Sequence, residues 1–309
     1  MKILISGSLA YDRIMNFPGK FKDHILADKI HTLNICFTVN GLAEKFGGTA
    51  GNIAYNLALL DEQPLILATA GKDFTNYKKW LEQHGLSLSS IRIIPQEFTA
   101  GAFITTDESN NQITNFNPGA MGYSSEYDFS EIIPLDTLAI ISPGNLEDML
   151  AYSRKYKKLN IPYIFDPGQS IPVLDKNQML EMIDGSAVLI SNEYELEMIK
   201  AASGMDNNEI LRYTKIIITT LGEKGSVLLS KDGKVSIPPA LPLCVSDPTG
   251  AGDAFRSGLI KGMVMGKDMI ESARMGSTCA SFAVENHGTQ EHCFTKNQFW
   301  TRHKNNCNS

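Results

Sequence analysis

The 309-residue sequence predicts an α/β fold with a mostly parallel central sheet flanked by helices, plus a small β-sheet lid. Three observations predict it. Short continuous apolar runs alternate with segments of helical spacing, the order that builds parallel sheets. Two glycine-rich stretches, Gly47–Asn52 and Asp247–Asp253, each open an apolar helical face. The alternation is interrupted twice, at about 13–46 and 98–118, by β-rich segments that together form the lid.

Ile3-Leu4-Ile5 reads as a buried strand running into Ser6-Gly7-Ser8, with Asp12 just beyond. Ligands of open α/β sheets gather at the carboxyl ends of strands, so Ser8 and Asp12 are either substrate contacts or a solvated loop. Asn16 to Phe46 alternates imperfectly and reads as short, partly exposed strands. A helix starts at or near Thr49, carrying Ile53, Ala54, Leu57, Ala58 and Leu60 on one face. Strand Leu65–Thr69, a helix from about Asp73 to Gln83 and strand Ile91–Ile94 follow. Ala102–Thr106 and Gln112–Phe116 flank the polar turn Asp107–Asn111, which is a hairpin pattern.

The α/β order resumes with strand Thr137–Ile141, a helix near Leu146–Lys157 and strand Ile161–Phe165, which ends in Asp166-Pro167-Gly168-Gln169. After strand Ala187–Ile190, Asn192 and Glu195 share one face of a helix's first turn. That spacing serves a reciprocal helix cap, and equally an amide and carboxylate ordering Mg²⁺ through its waters. Strand Ile216–Thr220 turns through Gly222 and Gly225 into antiparallel hairpins at Ser226–Ser230 and Val235–Ile237. Helices over Ala254–Met265, about Asp268–Glu285 and Thr295–His303 close the chain.

Composition narrows the partners. The formal charge is −6 and no Lys/Arg cluster exceeds a few residues, so neither nucleic acid nor a membrane surface is expected as a partner. Five scattered cysteines without C-x-x-C fit reduced thiols in a cytoplasm, and the spacing of His287, His292 and Cys293 suits no common zinc pattern. The N-terminal apolar run is too short and too soon broken for a signal peptide or a span.

Chemistry concentrates at Asp247-Pro248-Thr249-Gly250-Ala251-Gly252-Asp253. Pro248 stops what precedes it, and Gly250 and Gly252 permit a tight turn into the helix. The first amides of a helix lack internal acceptors and sit at the positive end of its dipole, so they suit a developing phosphate charge. Asp253 at the same turn either caps the helix or takes a proton. Other nucleotide chemistries lack their motifs: no third glycine completes G-x-G-x-x-G, and neither G-x-x-x-x-G-K-[ST] nor G-x-S-x-G occurs.

The string from Asp247 to Gly258 resembles the C-terminal signature of the ribokinase-like (PfkB) family of sugar and nucleoside kinases. The Gly47–Asn52 turn, Asn192-x-x-Glu195 and Thr220-x-Gly222-x-x-Gly225 match further family elements in the expected order. The resemblance implies one three-layer ribokinase-like domain over 1–309. It also implies a general base at Asp253, an anion hole at Gly250, Ala251 and Gly252, and ATP and Mg²⁺ as cofactors, with a monovalent cation left open. The nucleotide would meet Asn192, Thr220, Gly222, Gly225, Thr249, Ala283 and His287, with Mg²⁺ ordered through water by Glu195 and Asn192. The acceptor would meet Ser8, Asp12, Gly48, Asn52, Phe103, Asn115, Met121 and Gln169.

Within the family, Gly7–Asp12, Phe46–Tyr55 and Asn115–Met121 are most similar to prokaryotic adenosine (nucleoside) kinases. That implies ATP-dependent phosphorylation of a ribonucleoside 5′-hydroxyl, adenosine first, in purine salvage. Asp166-Pro167-Gly168-Gln169 departs from the D-P-N-x-R of many sugar kinases, which counts against a sugar-phosphate acceptor. A sugar or sugar-phosphate kinase and a non-catalytic binding module remain the alternatives. Arg13 and Arg256 are cations able to serve a phosphate, and a homodimer through the lid strands is left open.

Overall fold

The computed structural model describes residues 1–307. Nine strands form the main sheet: β1 (Lys2–Ser6), β4 (Leu65–Gly71), β5 (Ile91–Ile94), β8 (Thr137–Ile141), β9 (Tyr163–Phe165), β10 (Val188–Asn192), β11 (Ile216–Thr220), β12 (Ser226–Ser230) and β13 (Gly233–Ile237). Their order is β13-β12-β11-β10-β9-β8-β1-β4-β5. The pairs from β5 across to β11 are all parallel, and the two pairs that continue to β13 are antiparallel. β1 therefore lies where the chain order reverses, with β8 on one side and β4 on the other, the crevice that open α/β sheets use for ligands.

Strand alternation divides the core in two. Ile3 and Ile5 face one way with Leu138, Ile140, Ile164, Val188 and Ile190, whereas Leu4, Ala139, Ile141, Phe165 and Leu189 face the other. The first face is covered by α2 (Thr49–Leu59), α3 (Thr75–Gln83), α8 (Ala251–Val264) and α9 (Met269–Ala283). The second is covered by α4 (Leu146–Leu159), α5 (Lys176–Ile183), α6 (Glu193–Ser203) and the short α7 (Asn207–Ile210). A last helix, α10 (Lys296–Cys307), packs Phe299 against α9 in a smaller third cluster. The result is a three-layer α/β architecture. Among the described residues no helix is long and apolar enough to cross a membrane.

The second sheet contains β2 (Ala10–Asn16), β3 (Asn40–Gly47), β6 (Ala100–Thr106) and β7 (Gln112–Asn117), in the order β3-β2-β6-β7. The expected hairpin is β6–β7, and it joins the N-terminal strands through a parallel β2–β6 pair. The stretch between β2 and β3 differs from the expected strands. It holds a one-turn helix, α1 (Phe21–His24), a 3₁₀ segment (Ala27–Thr32) and irregular chain. Its apolar residues satisfy one another instead of a sheet face: Phe17, Phe21 and Phe37 form an aromatic cluster with His24, with ring centroids 4.8–6.2 Å apart. α5 was not expected either, although Asp175 and Gln178 form its reciprocal cap at the spacing that announces a helix.

Asp107 fastens the hairpin turn to this stretch. Its carboxylate accepts the N–H groups of Phe21 at 3.0 Å and of Ser109 and Asn111 at 2.8 Å. Asp107→Ala is expected to raise amide exchange at Phe21, Ser109 and Asn111 by about tenfold or more while β1 amides keep their protection, as measured by hydrogen exchange.

Candidate active site

The start of α8 is built around Gly250. Its φ of +82° is a conformation that side chains disfavour, and an added Cβ would lie 3.1 Å from Thr289. The helix begins at Ala251, three residues earlier than expected, so Asp253 sits inside the first turn. Ala251 N–H donates to the Pro248 carbonyl at 3.2 Å and Ala254 N–H to Gly250 at 3.0 Å. Among the described residues the amides of Gly250, Gly252 and Asp253 have no acceptor. Of the residues expected in the anion hole, Ala251 has its amide in the turn, whereas Gly250 and Gly252 have theirs without an acceptor among the described residues. Ala251 and Gly252 line a cleft of about 420 Å³ with Thr220, Gly222 and Gly225 from the β11–β12 turn. The same loop is anchored by Asp247, which accepts N–H bonds from the exposed Thr249 at 2.9 Å and from Gly288 at 3.0 Å.

Asp253 is half-buried beside this cleft, and burial pushes its carboxyl up to about 7. The Arg256 guanidinium and a 2.8 Å hydrogen bond from Asn52 Nδ2 pull it down, while Asp166 and Glu195 add to the rise. Arg256 is not a free cation. Its Nε and Nη2 donate to both oxygens of Asp166 and its Nη1 to the Gly252 carbonyl at 2.9 Å. Both members of this pair are buried. Arg13 is likewise engaged, with Glu44 at 2.9 Å and Asp73 at 3.2 Å.

The second glycine-led helix, α2, is satisfied where α8 is open. Gly48 precedes it with φ +87°, and an added Cβ would lie 2.6 Å from the Ser8 carbonyl. Ser8 Oγ accepts Thr49 N–H at 3.0 Å, and its carbonyl accepts the amides of Ala50 at 3.0 Å and Gly51 at 3.4 Å. Ser8 therefore caps α2, and the amides of Thr49, Ala50 and Gly51 are satisfied within the chain. Asn52 is a partner of Asp253: its Oδ1 accepts from Gln290 Nε2 at 2.9 Å while Nδ2 holds the carboxylate.

Asp12, on β2, remains available. Burial raises its carboxyl, and among the described residues it takes no hydrogen bond. Asp12 and Asp253 both bear on the buried Tyr77 phenol, whose ionisation burial already suppresses. Strand pairing decides which lid residues share Asp12's face. Asp12 is opposite Ala102, and Ala102 opposite Phe116. Phe103 and Asn115 pair with Arg13 on the other face, where Arg13 lies 5.2 Å from the Phe103 ring. Met121 is half-buried and its carbonyl accepts from Asn145 at 3.0 Å. Gln169 is exposed in the turn after β9.

On β10 and α6, Asn192 and Glu195 form the reciprocal cap of α6, with both bonds at 2.8 Å. Glu195 nonetheless acts electrostatically on Asp253 and Arg256. Ala283 is buried in the cluster of Phe294 and Phe299, and its neighbours Ala280 and Val284 line the cleft. His287 is exposed and does not line the cleft. Sequence reasoning missed Gln290, Tyr77 and Trp80, which no motif flagged. It quoted Asp166 without its partner.

The chain is similar to known proteins along nearly its whole length. The family model "pfkB family carbohydrate kinase" matches residues 19–297. A nucleoside kinase of Methanocaldococcus jannaschii is 32% identical over 294 residues, covering 94% of this chain and 92% of the relative. The structure of Burkholderia thailandensis nucleoside kinase in complex with inosine superposes with a TM-score of 0.87 at 34% identity, covering 99% of this chain and 98% of that one. The same enzyme in complex with ADP-inosine gives 0.84 at 35%, covering 99% and 96%.

Two stability measurements check the site. Ser8→Ala removes one capping acceptor and is expected to cost about 1 kcal/mol, lowering Tm by about 2–4 °C. For Asp253, the unfolded carboxyl ionises near 3.9 whereas the folded one holds its proton to about 7. Between these values the unfolded chain is favoured, so stability is lost as pH rises through 7. Asp253→Asn removes that loss, and its Tm advantage over wild type is expected to grow from pH 5 to pH 8 in calorimetry.

Proposed function

Because this chain belongs to the pfkB family of carbohydrate kinases, we propose that it transfers the γ-phosphoryl group of ATP to the 5′-hydroxyl of a ribonucleoside, adenosine first. The observation that carries the reading is the juxtaposition at α8. Three amides without acceptors and a carboxylate poised near neutral pH share one helical turn beside a cleft. Phosphoryl transfer needs this pairing of charge stabilisation with a weak base. The acceptor oxygen attacks the γ-phosphorus, the bond to the β-phosphate oxygen breaks, and ADP leaves with that electron pair. Asp253 takes the hydroxyl proton, and the amides of Gly250, Gly252 and Asp253 hold the charge on the phosphoryl oxygens.

Among the described residues no three His, Cys, Asp or Glu side chains cluster to hold a metal. Mg²⁺ does not require such a cluster, because it keeps its waters and takes phosphate oxygens as ligands. Glu195 has one oxygen outside the cap and would hold such an ion through water with Asn192. When bound, Mg²⁺ neutralises phosphate charge.

A nucleoside acceptor is favoured by Asp12, a partly desolvated carboxylate able to take both ribose hydroxyls, with Phe116 on the same face for a base. The inosine held by the Burkholderia enzyme supports a purine. A sugar phosphate would want a free cation, and both candidate arginines are already paired. Soluble dimerisation through the open edges of β3 and β7 also belongs to this reading.

Steady-state kinetics with adenosine, inosine, ribose and fructose 6-phosphate test the acceptor class, and the nucleosides are expected to lead in kcat/KM. 2′-Deoxyadenosine is expected to be worse by about 1–3 kcal/mol, and Asp12→Asn to erase most of that gap. kcat/KM should rise with pH through about 7 and then level, and Asp253→Asn should lower kcat by about 10²–10⁴-fold. Preference for fructose 6-phosphate would overturn the nucleoside assignment.

A further inference from the structure

Behind Asp253 runs a chain of buried amides whose direction is set by a single group. Trp80 Nε1–H donates to Gln290 Oε1 at 2.9 Å. An indole nitrogen only donates, so this contact fixes which end of the Gln290 amide is oxygen. Gln290 Nε2 must then point the other way, and it donates to Asn52 Oδ1 at 2.9 Å and to the Tyr77 hydroxyl at 2.7 Å. Tyr77 passes its own proton to the Gly47 carbonyl at 2.7 Å. With Asn52 Oδ1 committed as acceptor, Nδ2 faces Asp253 and donates to Oδ2 at 2.8 Å. The amide orientations, ordinarily ambiguous, follow from the indole without further choice. Gln290, Asn52 and Tyr77 are all buried, so water does not offer substitutes.

We propose that Gln290, held by the Trp80 indole, is a positioning residue that turns the Asn52 amide toward Asp253, so that Oδ2 is occupied and Oδ1 is the oxygen that receives the acceptor's proton. The proton-transfer part rests on the function proposed above. The amide polarity does not, and it can be tested in the protein without substrate. Asp253 Oδ1 takes no hydrogen bond among the described residues, whereas Oδ2 is held. Trp80 is itself locked by stacking at 5.4 Å on Phe46 and 5.8 Å on Tyr55, so its N–H direction is rigid.

The charged and titratable groups facing Asp253 are Arg256 on its own helix, Asp166 after β9, Glu195 on α6 and Tyr77 on α3. None of them donates to Oδ2 among the described residues, so the Asn52 hydrogen bond is the contribution that Gln290 controls. Three variants separate positioning from packing. Gln290→Met keeps the volume and removes the donor. Gln290→Glu, once ionised, only accepts, which turns Asn52 Oδ1 onto the carboxylate. Trp80→Phe keeps the aromatic stack and removes the indole proton.

The Asp253 carboxyl titration, read by ¹³C NMR on the full chain without ligands, is expected to move upward by about one pH unit in Gln290→Met, further in Gln290→Glu and less in Trp80→Phe. In kinetics the acid limb of kcat/KM moves with it and kcat falls about tenfold, with nucleoside KM changed less than twofold. An unmoved carboxyl titration in Gln290→Met overturns the proposal, as does lower activity with an unchanged pH profile. If the Gln290 variants do not fold, Trp80→Phe decides alone: an unmoved titration rejects the chain of amides. A shifted titration in a protein that phosphorylates no nucleoside rejects the function and the proton-transfer step, and keeps the amide polarity.

Discussion

The hydrogen bond from Asn52 to Asp253 ties together residues 201 positions apart and joins the two glycine-led helices at their first turns. A half-buried carboxylate is expensive to ionise, and a donor placed on one oxygen offsets part of that cost, by about 1.5–3 kcal/mol for a charged acceptor. The offset is partial here, which leaves the group protonating near 7 instead of near 4. A carboxyl so tuned lies close to its titration midpoint at neutral pH, where both giving up and taking a proton are easy. Removing the donor would leave Arg256 as the main opposing influence, and Arg256 is already shared with Asp166.

The two helix starts look alike in sequence and differ in what their amides meet. At α2 the chain folds back so that Ser8 supplies both hydroxyl and carbonyl to the exposed amides. At α8, among the described residues, nothing does so for Gly252 and Asp253, and the positive end of the helix dipole stays open there. Charge follows the same division. The buried Arg256–Asp166 pair is neutral as a unit, so it stiffens the turn beneath the open amides without competing for an anion.

Much of the fold was legible because it depends on local pattern. The starts or full spans of α2, β5, β8 and β11 agree with expectation, since apolar runs and capping residues mark them directly. The stretch between β2 and β3 was not legible, because Phe17, Phe21 and Phe37 bury one another and mimic strand alternation without pairing. In the site, the glycine turns and Asp253 announced themselves by composition. Side-chain direction did not: Ala283 is one step out of phase with the cleft-lining Ala280 and Val284, and Phe103 is on the wrong parity for Asp12's face. Gln290, Tyr77 and Trp80 act through partners distant in sequence, and no spacing rule could connect them.

The segment Gly288-Thr289-Gln290 is the meeting place of these parts. Gly288 N–H holds Asp247 in the glycine-rich loop before α8, Thr289 Oγ1 donates to the Phe46 carbonyl at the end of β3, and Gln290 holds Asn52. Surface connections usually absorb extra residues freely. Here three neighbours address three different elements in a fixed order, so a single inserted residue would misalign at least two of them at once. Chain length at this bend is therefore as strict a requirement as any side chain, and drift among descendants of this sequence would be confined to substitutions there, while the outer turns remain free to lengthen.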